Sequence, residues 1–141
     1  HAEILTHRVF SRNAQSSRAV PVSKTIEVNK RYVKPLVWGK NKAGMSSTEE
    51  LTGVKKLLAN VVWNTAAKAS FGFSALLSKL GLHKQWSNRL TEWCSLIKVV
   101  ITSTEWENFL WLRTDADAAQ PEIVALARKI ENDFKKMIDE T

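Results

Sequence analysis

Apolar residues recur at helical spacing over much of the second half of the chain. Leu51, Val54, Leu57, Leu58, Val61, Ala66 and Ala69 follow one another at the separations that put side chains on one helix face. Ser47-Thr48-Glu49-Glu50 just ahead of them has the form of a capping box. There the Ser47 hydroxyl and the Glu50 carboxylate would satisfy free N–H groups of the first turn. Phe71-Gly72-Phe73 is a place for a kink or interruption before Leu76, Leu77 and Leu80, and Gly81 is placed to stop the helix. A shorter helix is expected from Lys84 to Leu90. Thr104 with Glu107 forms a second capping box, opening a helix that carries Asn108 and Arg113. Pro121 suits the first turn of a last helix, whose buried face is expected to be Ile123, Leu126, Ile130, Phe134 and Met137.

Extended structure is less evident. The run Leu96-Ile97-Lys98-Val99-Val100-Ile101 reads as a buried strand. Residues 19–45, with Pro21, Pro35, Gly39, Gly44 and many charges, read as loop or short extended pieces. His1 to Thr6 reads as the end of a helix. The organisation expected is one domain over residues 1–141: a signature segment at 1–18, a basic loop at 19–45, and a mostly helical remainder at 46–141 with one central strand.

Composition adds limits. A chain of 141 residues with 44% hydrophobic content can bury a real core. No apolar run approaches the roughly 20 residues of a membrane span, so no membrane partner is expected. Cys94 is the single cysteine, which rules out an intrachain disulfide and makes a reducing cytoplasm the expected compartment. Between Trp93 and the apolar run, it reads as a buried structural thiol. The histidines His1, His7 and His83 are too scattered to suggest a metal site. Of the six tryptophans, Trp63, Trp86, Trp93, Trp106 and Trp111 read as core or subunit-interface residues. Trp106 and Trp111, five apart, cannot share a helix face. Trp38 in the basic loop is the candidate for stacking on an aromatic ligand.

Charge is concentrated. Residues 1–42 hold nine Lys/Arg against Glu3 and Glu27, and the remainder is balanced, so the whole net charge of +7 sits in the N-terminal third. The densest chemistry there is Thr6-His7-Arg8-Val9-Phe10-Ser11-Arg12-Asn13-Ala14-Gln15-Ser16-Ser17-Arg18. Arginine forks match phosphate oxygens two at a time, and serine hydroxyls with backbone N–H groups complete an anion cradle. The segment therefore reads as a phosphate or nucleotide site. A solvated basic loop and an electrostatic patch for nucleic acid remain open on the same residues.

The spacing of His7, Arg8 and Ser16, with Asn13 and Arg18, resembles the signature of the flavin-dependent thymidylate synthases (the ThyX family). Thr6 departs from that signature where the family has an arginine, and Ala14 where many members have a glutamate. A second block, Thr104-Glu105-Trp106-Glu107-Asn108-Phe109-Leu110-Trp111-Leu112-Arg113 followed by Ala119-Gln120-Pro121-Glu122-Ile123, is similar to the family's C-terminal block. A third, His83-Lys84-Gln85-Trp86-Ser87-Asn88-Arg89-Leu90, resembles the one that brings an arginine to the nucleotide pocket. The three stand in the family's order, and residues 25–80 match it only loosely.

The resemblance implies an α+β fold with helices packed around a mixed β-sheet. It also implies that the chain is the central part of a longer member, or a truncated one. The implied activity is reductive methylation of dUMP to dTMP by a homotetramer, with FAD as cofactor and with NADPH and methylenetetrahydrofolate as co-substrates. Arg113 would be catalytic, against the uracil edge. The dUMP set would be Glu3, Thr6, Ala14, Gln15, Ser16, Ser17, Arg18, Arg89 and Arg113, with Ser16, Arg18 and Arg89 on the phosphate. The FAD set would be Thr6, His7, Arg8, Ala14, Thr102, Ser103, Thr104 and Asn108. No metal is implied, nucleic acid is not an expected partner, and the compartment would be bacterial cytoplasm, or host cytoplasm for a viral member. Two other readings stand beside this one. One is a flavin enzyme acting differently on a related nucleotide, for example by hydroxymethylation. The other is a non-catalytic basic relative that binds nucleic acid or serves as a scaffold, which Thr6 and Ala14 favour.

Overall fold

The computed structural model of the chain describes residues 10–30, 32–44, 47, 49–117 and 119–140. In chain order the elements are strand β1 (Ser11–Ala14), helices α1 (Val22–Val28), α2 (Gly53–Lys79) and α3 (Lys84–Ser87), a 3₁₀ helix (Asn88–Cys94), strand β2 (Val99–Thr102), and helices α4 (Trp106–Arg113) and α5 (Pro121–Asp139). The class is α+β, as expected. The expected mixed sheet is not found among the described residues: β1 and β2 pair as a two-stranded antiparallel ribbon. The reading of 96–101 as a buried strand is also corrected. Leu96 and Ile97 lie outside β2 and are exposed, and β2 itself alternates half-buried with exposed positions. A strand buried on both faces needs a layer on each side, and a two-stranded ribbon supplies neither.

By contacts the chain divides into two compact units. The first comprises His1–Ser11, Pro35–Thr52 and Ile101–Thr141; the second comprises Arg12–Lys34 and Gly53–Val100.

The first unit is held by apolar burial. Phe10, Phe109, Ala119, Ile123, Val124 and Ala127 form its centre, with Ile101, Trp106, Leu110 and Ile130 packed around them. Aromatic edges lock this centre: Phe10 lies 5.0 Å from both Trp106 and Phe109, and Trp106 meets Phe134 edge-on at 5.3 Å. Trp111, five residues beyond Trp106, is 75% exposed, as their spacing requires. On α5 the inward row is Ile123, Ala127, Ile130 and Phe134 with Val124 alongside, while Leu126 and Met137 face solvent. The small Ala127 lets the helix approach closely, and that choice rotates the buried face away from the two larger residues.

Neither expected capping box forms. The long helix begins at Gly53, and the Ser47 hydroxyl instead donates to the carbonyls of Lys40 and Glu49. It stabilises a short antiparallel pairing in which Lys40 N–H meets the Glu49 carbonyl at 2.8 Å and Leu51 N–H meets the Trp38 carbonyl at 2.7 Å. At α4 the N-cap is Glu105, and the Ser103 hydroxyl, rather than Thr104, accepts its N–H at 3.0 Å.

In the second unit α2 runs through Gly72 without interruption. It ends as expected at Gly81, whose φ of 87° is left-handed. Gly81 N–H bonds the Ser78 carbonyl at 3.1 Å and Leu82 N–H bonds the Leu77 carbonyl at 3.0 Å, the two closures of a Schellman motif. His83 then caps α3, its Nδ1 accepting from Gln85 N–H at 3.2 Å, and the helix tightens into the 3₁₀ segment beyond Ser87. Helix α1 lies within the stretch read as loop. Seven residues give too few turns for a periodicity to register.

The inward side of α2 mixes small and polar residues with the aromatic rings of Trp63 and Phe71. Ala67 and Ser74 are buried, Asn64 Oδ1 accepts from Tyr32 Oη at 2.8 Å, and Ser70 Oγ accepts from Trp93 Nε1 at 3.3 Å. Trp63 and Trp93 meet edge-on at 5.2 Å. The apolar stripe read from the sequence is on the helix but faces outward among the described residues: Val54, Leu57, Leu58 and Val61 are each at least half exposed, as are Val62, Phe73 and Leu76.

Two glycines of this unit give opposite outcomes on substitution. A Cβ at Gly72 meets nothing within 4 Å, so Gly72→Ala gains helix propensity and stabilises by about 0.5–1 kcal/mol. Gly81→Ala forces an L side chain into the left-handed region and destabilises by about 1–2 kcal/mol. Urea unfolding of the two variants checks both signs.

Candidate functional site

The signature segment ends in a tight turn. After β1, Gln15 N–H donates to the Lys98 carbonyl at 2.8 Å, and Ala19 N–H closes on the Ser16 carbonyl at 3.1 Å. Side chains from the 84–92 stretch anchor it. Asn88 Nδ2 donates to the carbonyls of Ser17 and Val20, both at 2.8 Å, which uses both N–H groups of the carboxamide. Ser17 Oγ donates to Glu92 Oε1 at 2.5 Å, and Lys84 Nζ donates to the Ala19 carbonyl at 3.3 Å. Asn88 is 1% exposed, so its bonds run where water does not compete. The anchors give the turn two sides: Ser17 is half-buried and bound inward, while Ser16 and Arg18 are exposed.

Arg89 follows Asn88 directly, is exposed, and holds its guanidinium 5.7 Å over the Trp86 ring. Thus Gln15, Ser16, Ser17, Arg18 and Arg89 all belong to the second unit, and two sequence blocks of this set are tied to each other by hydrogen bonds. Lys84, Asn88 and Glu92 were not singled out in the sequence. Their one signal is position: Lys84 and Asn88 precede Arg89 within its block, and Glu92 lies two residues beyond the block's end.

The rest of the expected site is distributed differently. Ala14 ends β1 and is exposed. Thr102 ends β2, and Ser103 and Thr104 lead into α4. Asn108 is exposed on α4 and Arg113 is half-buried in its last turn. Thr102, Ser103, Thr104, Asn108 and Arg113 belong to the first unit. Beyond Arg113 the Asp115 carboxylate accepts Asp117 N–H at 2.9 Å, and Arg128 Nη2 donates to the Thr114 carbonyl at 3.4 Å. Glu3, Thr6, His7 and Arg8 lie outside the described residues. Thr102, Thr104 and Asn108 are exposed, and their hydroxyl and carboxamide groups can both donate and accept hydrogen bonds.

Behind the turn the second unit encloses a cleft of about 500 Å³. Gln15 and Ser17 line it together with Lys24, Glu92 and Lys98 and the apolar Val28, Leu96 and Ile97, whereas Ser16, Arg18 and Arg89 do not. No sequence pattern announced it, since its walls come from four separate stretches.

Cys94 is fully buried, and burial pushes its thiol above the usual range. It is therefore protonated at neutral pH, its Sγ donating to the Thr91 carbonyl, which is the structural role expected. Among the described residues no group of three His, Cys, Asp or Glu is placed to hold a metal ion, and no helix is long and apolar enough to cross a membrane. No protein-family model matches the chain, and no curated protein matches it.

The Asn88 anchor makes a testable demand. Asn88→Ala removes two hydrogen bonds and should destabilise the fold by about 1–3 kcal/mol. Hydrogen exchange should quicken selectively at the Ala19 amide that closes the turn. Unchanged exchange there would show that Asn88 does not hold the turn.

Proposed function

We propose that the chain is a flavin-dependent thymidylate synthase, methylating dUMP with methylenetetrahydrofolate and NADPH as co-substrates. The observation that carries the reading is the joining of two signature blocks at one corner, where Asn88 donates to the Ser17 and Val20 carbonyls across 71 and 68 residues of sequence. An enzyme of this kind needs its phosphate-binding hydroxyl and guanidinium groups held in a fixed frame before substrate arrives. The anchored turn supports such a frame. Ser16 and Arg18 face outward from it, and Arg89 extends from the segment that anchors it. Arg89 is also stiffened by its contact with Trp86, so less side-chain entropy is lost when it takes a phosphate oxygen.

FAD, when bound, supplies the redox chemistry, carrying hydride from NADPH. His7, Arg8, Ala14, Thr102, Ser103, Thr104 and Asn108 would hold it. Arg113 orients the uracil edge and stabilises negative charge as the ring is activated, a task for a group that stays cationic at any working pH. Its half-buried place in the last turn of α4 gives it a favourable helix-dipole position and limits its rotamers.

The assay is dTMP formation by FAD-loaded protein in a reading frame that restores any missing family termini. Arg18→Ala should weaken dUMP binding by about 1.5–3 kcal/mol, the scale of a charge-assisted hydrogen bond, with flavin affinity much less changed. Unaltered dUMP affinity would remove Arg18 from the phosphate. A purified protein that takes up no flavin and instead shifts DNA at low salt would replace the enzyme with the binding module.

A homotetramer is part of the proposal, and the exposed apolar row of α2 supports it. Contiguous apolar area of this kind is costly in water and marks an association surface. Leu58→Glu combined with Val61→Glu should give a species of lower mass than the wild type by multi-angle light scattering. A wild-type chain that stays monomeric when saturated with flavin would contradict the assembly.

A further inference from the structure

Charge divides unequally between the two units. The second holds thirteen Lys/Arg against two carboxylates, Glu27 and Glu92, for +11, while the first holds the other eight against twelve, for −4. Such an excess favours a polyanionic partner without naming one. The interleaving of part of it with aromatic rings is more specific. In the 3₁₀ helix Asn88, Thr91 and Cys94 are buried at that helix's three-residue repeat, which sends the residues between them outward. With Trp86 from α3, the outward row includes Trp86, Arg89 and Trp93, and the two tryptophans are 56% and 44% exposed.

Both rings are held in place. Arg89 lies 5.7 Å over Trp86, while Trp93 meets Trp63 edge-on at 5.2 Å and donates from Nε1 to Ser70 Oγ at 3.3 Å. Hydrogen bonds extend the row at each end. Lys84 Nζ donates to the carbonyl of Ala19, the neighbour of Arg18, at 3.3 Å. Val33 N–H donates to the Cys94 carbonyl at 2.9 Å, and Trp63 Nε1 donates to the Val33 carbonyl at 2.9 Å. These bonds tie Tyr32 and Lys34, whose Nζ stands 5.5 Å over the Tyr32 ring, to the end of the 3₁₀ helix. Among the described residues none of Arg18, Lys34, Lys84 and Arg89 pairs with a carboxylate. Glu92, the one carboxylate of the 3₁₀ helix, accepts the Ser17 hydroxyl.

Alternating cations and flat rings complement a chain of alternating phosphates and flat bases. We propose that this row binds single-stranded nucleic acid, beside the nucleotide chemistry of the corner. Bases stack on Trp86 and Trp93, and Arg18, Lys84, Arg89 and Lys34 take backbone phosphates. A duplex keeps its base faces stacked on one another and offers the rings nothing, so the strand is single. Rings and cations already held by their neighbours lower the ordering cost of binding. Arg18 and Arg89 enter here as cations only, and the proposal depends on neither flavin nor methylation.

Fluorescence anisotropy of the full chain with labelled oligo(dT), oligo(U) and an oligo(dA)·oligo(dT) duplex tests it, each about fifteen nucleotides long and without a terminal phosphate. The single strands should quench tryptophan fluorescence and bind about tenfold more tightly than the duplex, the scale of one base–aromatic stack. Their log K should fall with log salt at a slope of about −2 to −3, since each of four cations contributes about −0.7 on a single strand. Trp86→Ala should weaken strand binding about tenfold with an unchanged thermal midpoint, and Trp86→Phe should restore most of it. Trp111→Ala, at a 75% exposed tryptophan of the acidic unit, should leave binding unchanged. The proposal falls if neither strand binds at low salt, if the duplex binds as tightly, or if Trp86→Ala binds like the wild type. Capture by phosphatidylserine vesicles without strand binding would assign the excess charge to a membrane surface and overturn it equally. Formation of dTMP enters none of these measurements, so their failure is distinct from failure of the enzyme reading.

Discussion

One buried carboxamide organises the candidate site. Asn88 sits at the start of the 3₁₀ helix, yet its two N–H groups terminate the carbonyls of a turn near the other end of the sequence. A turn of exposed residues has no apolar surface with which to fix itself, and water competes for each of its backbone groups. Directional bonds from a water-excluded donor remove that competition. The positions of Ser16 and Arg18 therefore follow from Asn88, and the position of Asn88 follows from the helix of which it is part.

The two units are stabilised by different physics. The first buries Phe10, Phe109, Ile123 and Val124 in a non-directional apolar cluster that tolerates modest repacking. The interior of the second is unusually polar: Asn29, Ser74, Ser87, Asn88 and Thr91 are all at or below 4% exposure. Asn29 repeats the logic of Asn88, its Nδ2 donating to the Thr25 carbonyl at 2.8 Å while its Oδ1 accepts Leu96 N–H at 2.6 Å. Such interiors gain little from area and much from geometry, so they fix register and backbone path closely and lose heavily when one partner is removed. Ser16, Arg18 and Arg89 sit on this polar unit.

Helix identity was legible where a local rule decides it. Gly81 stops α2 because a left-handed closure there needs no tertiary help, and the α5 period is strong enough to register despite the displaced face. Burial was legible only in part: Ile123, Ile130, Phe134 and Cys94 lie inward as expected, but period alone does not say which side of a helix meets a core. On α2 the apolar stripe faces out and Asn64, Ala67, Ser70 and Ser74 face in. Both capping boxes failed because the helices start later than the pattern places them: α2 begins at Gly53, leaving Ser47 to bond the Lys40 and Glu49 carbonyls, and the N-cap of α4 is Glu105, one residue past Thr104. In the site, Ser16, Arg18 and Arg89 carry spacing signals, whereas Asn88, Glu92 and the cleft depend on contacts across some 70 residues that no local pattern encodes.

The polar interior and the outward stripe of α2 are two aspects of one arrangement. A helix of 27 residues cannot turn Asn60, Asn64, Ser70 and Ser74 inward without sending Val54, Leu58, Val61 and Leu76 the other way, because both rows are fixed to the same 3.6-residue period. An interior that takes Asn64, Ala67, Ser70 and Ser74 from α2 therefore leaves the aliphatic row of the same helix on its outward face, where each of those four larger residues is at least half exposed.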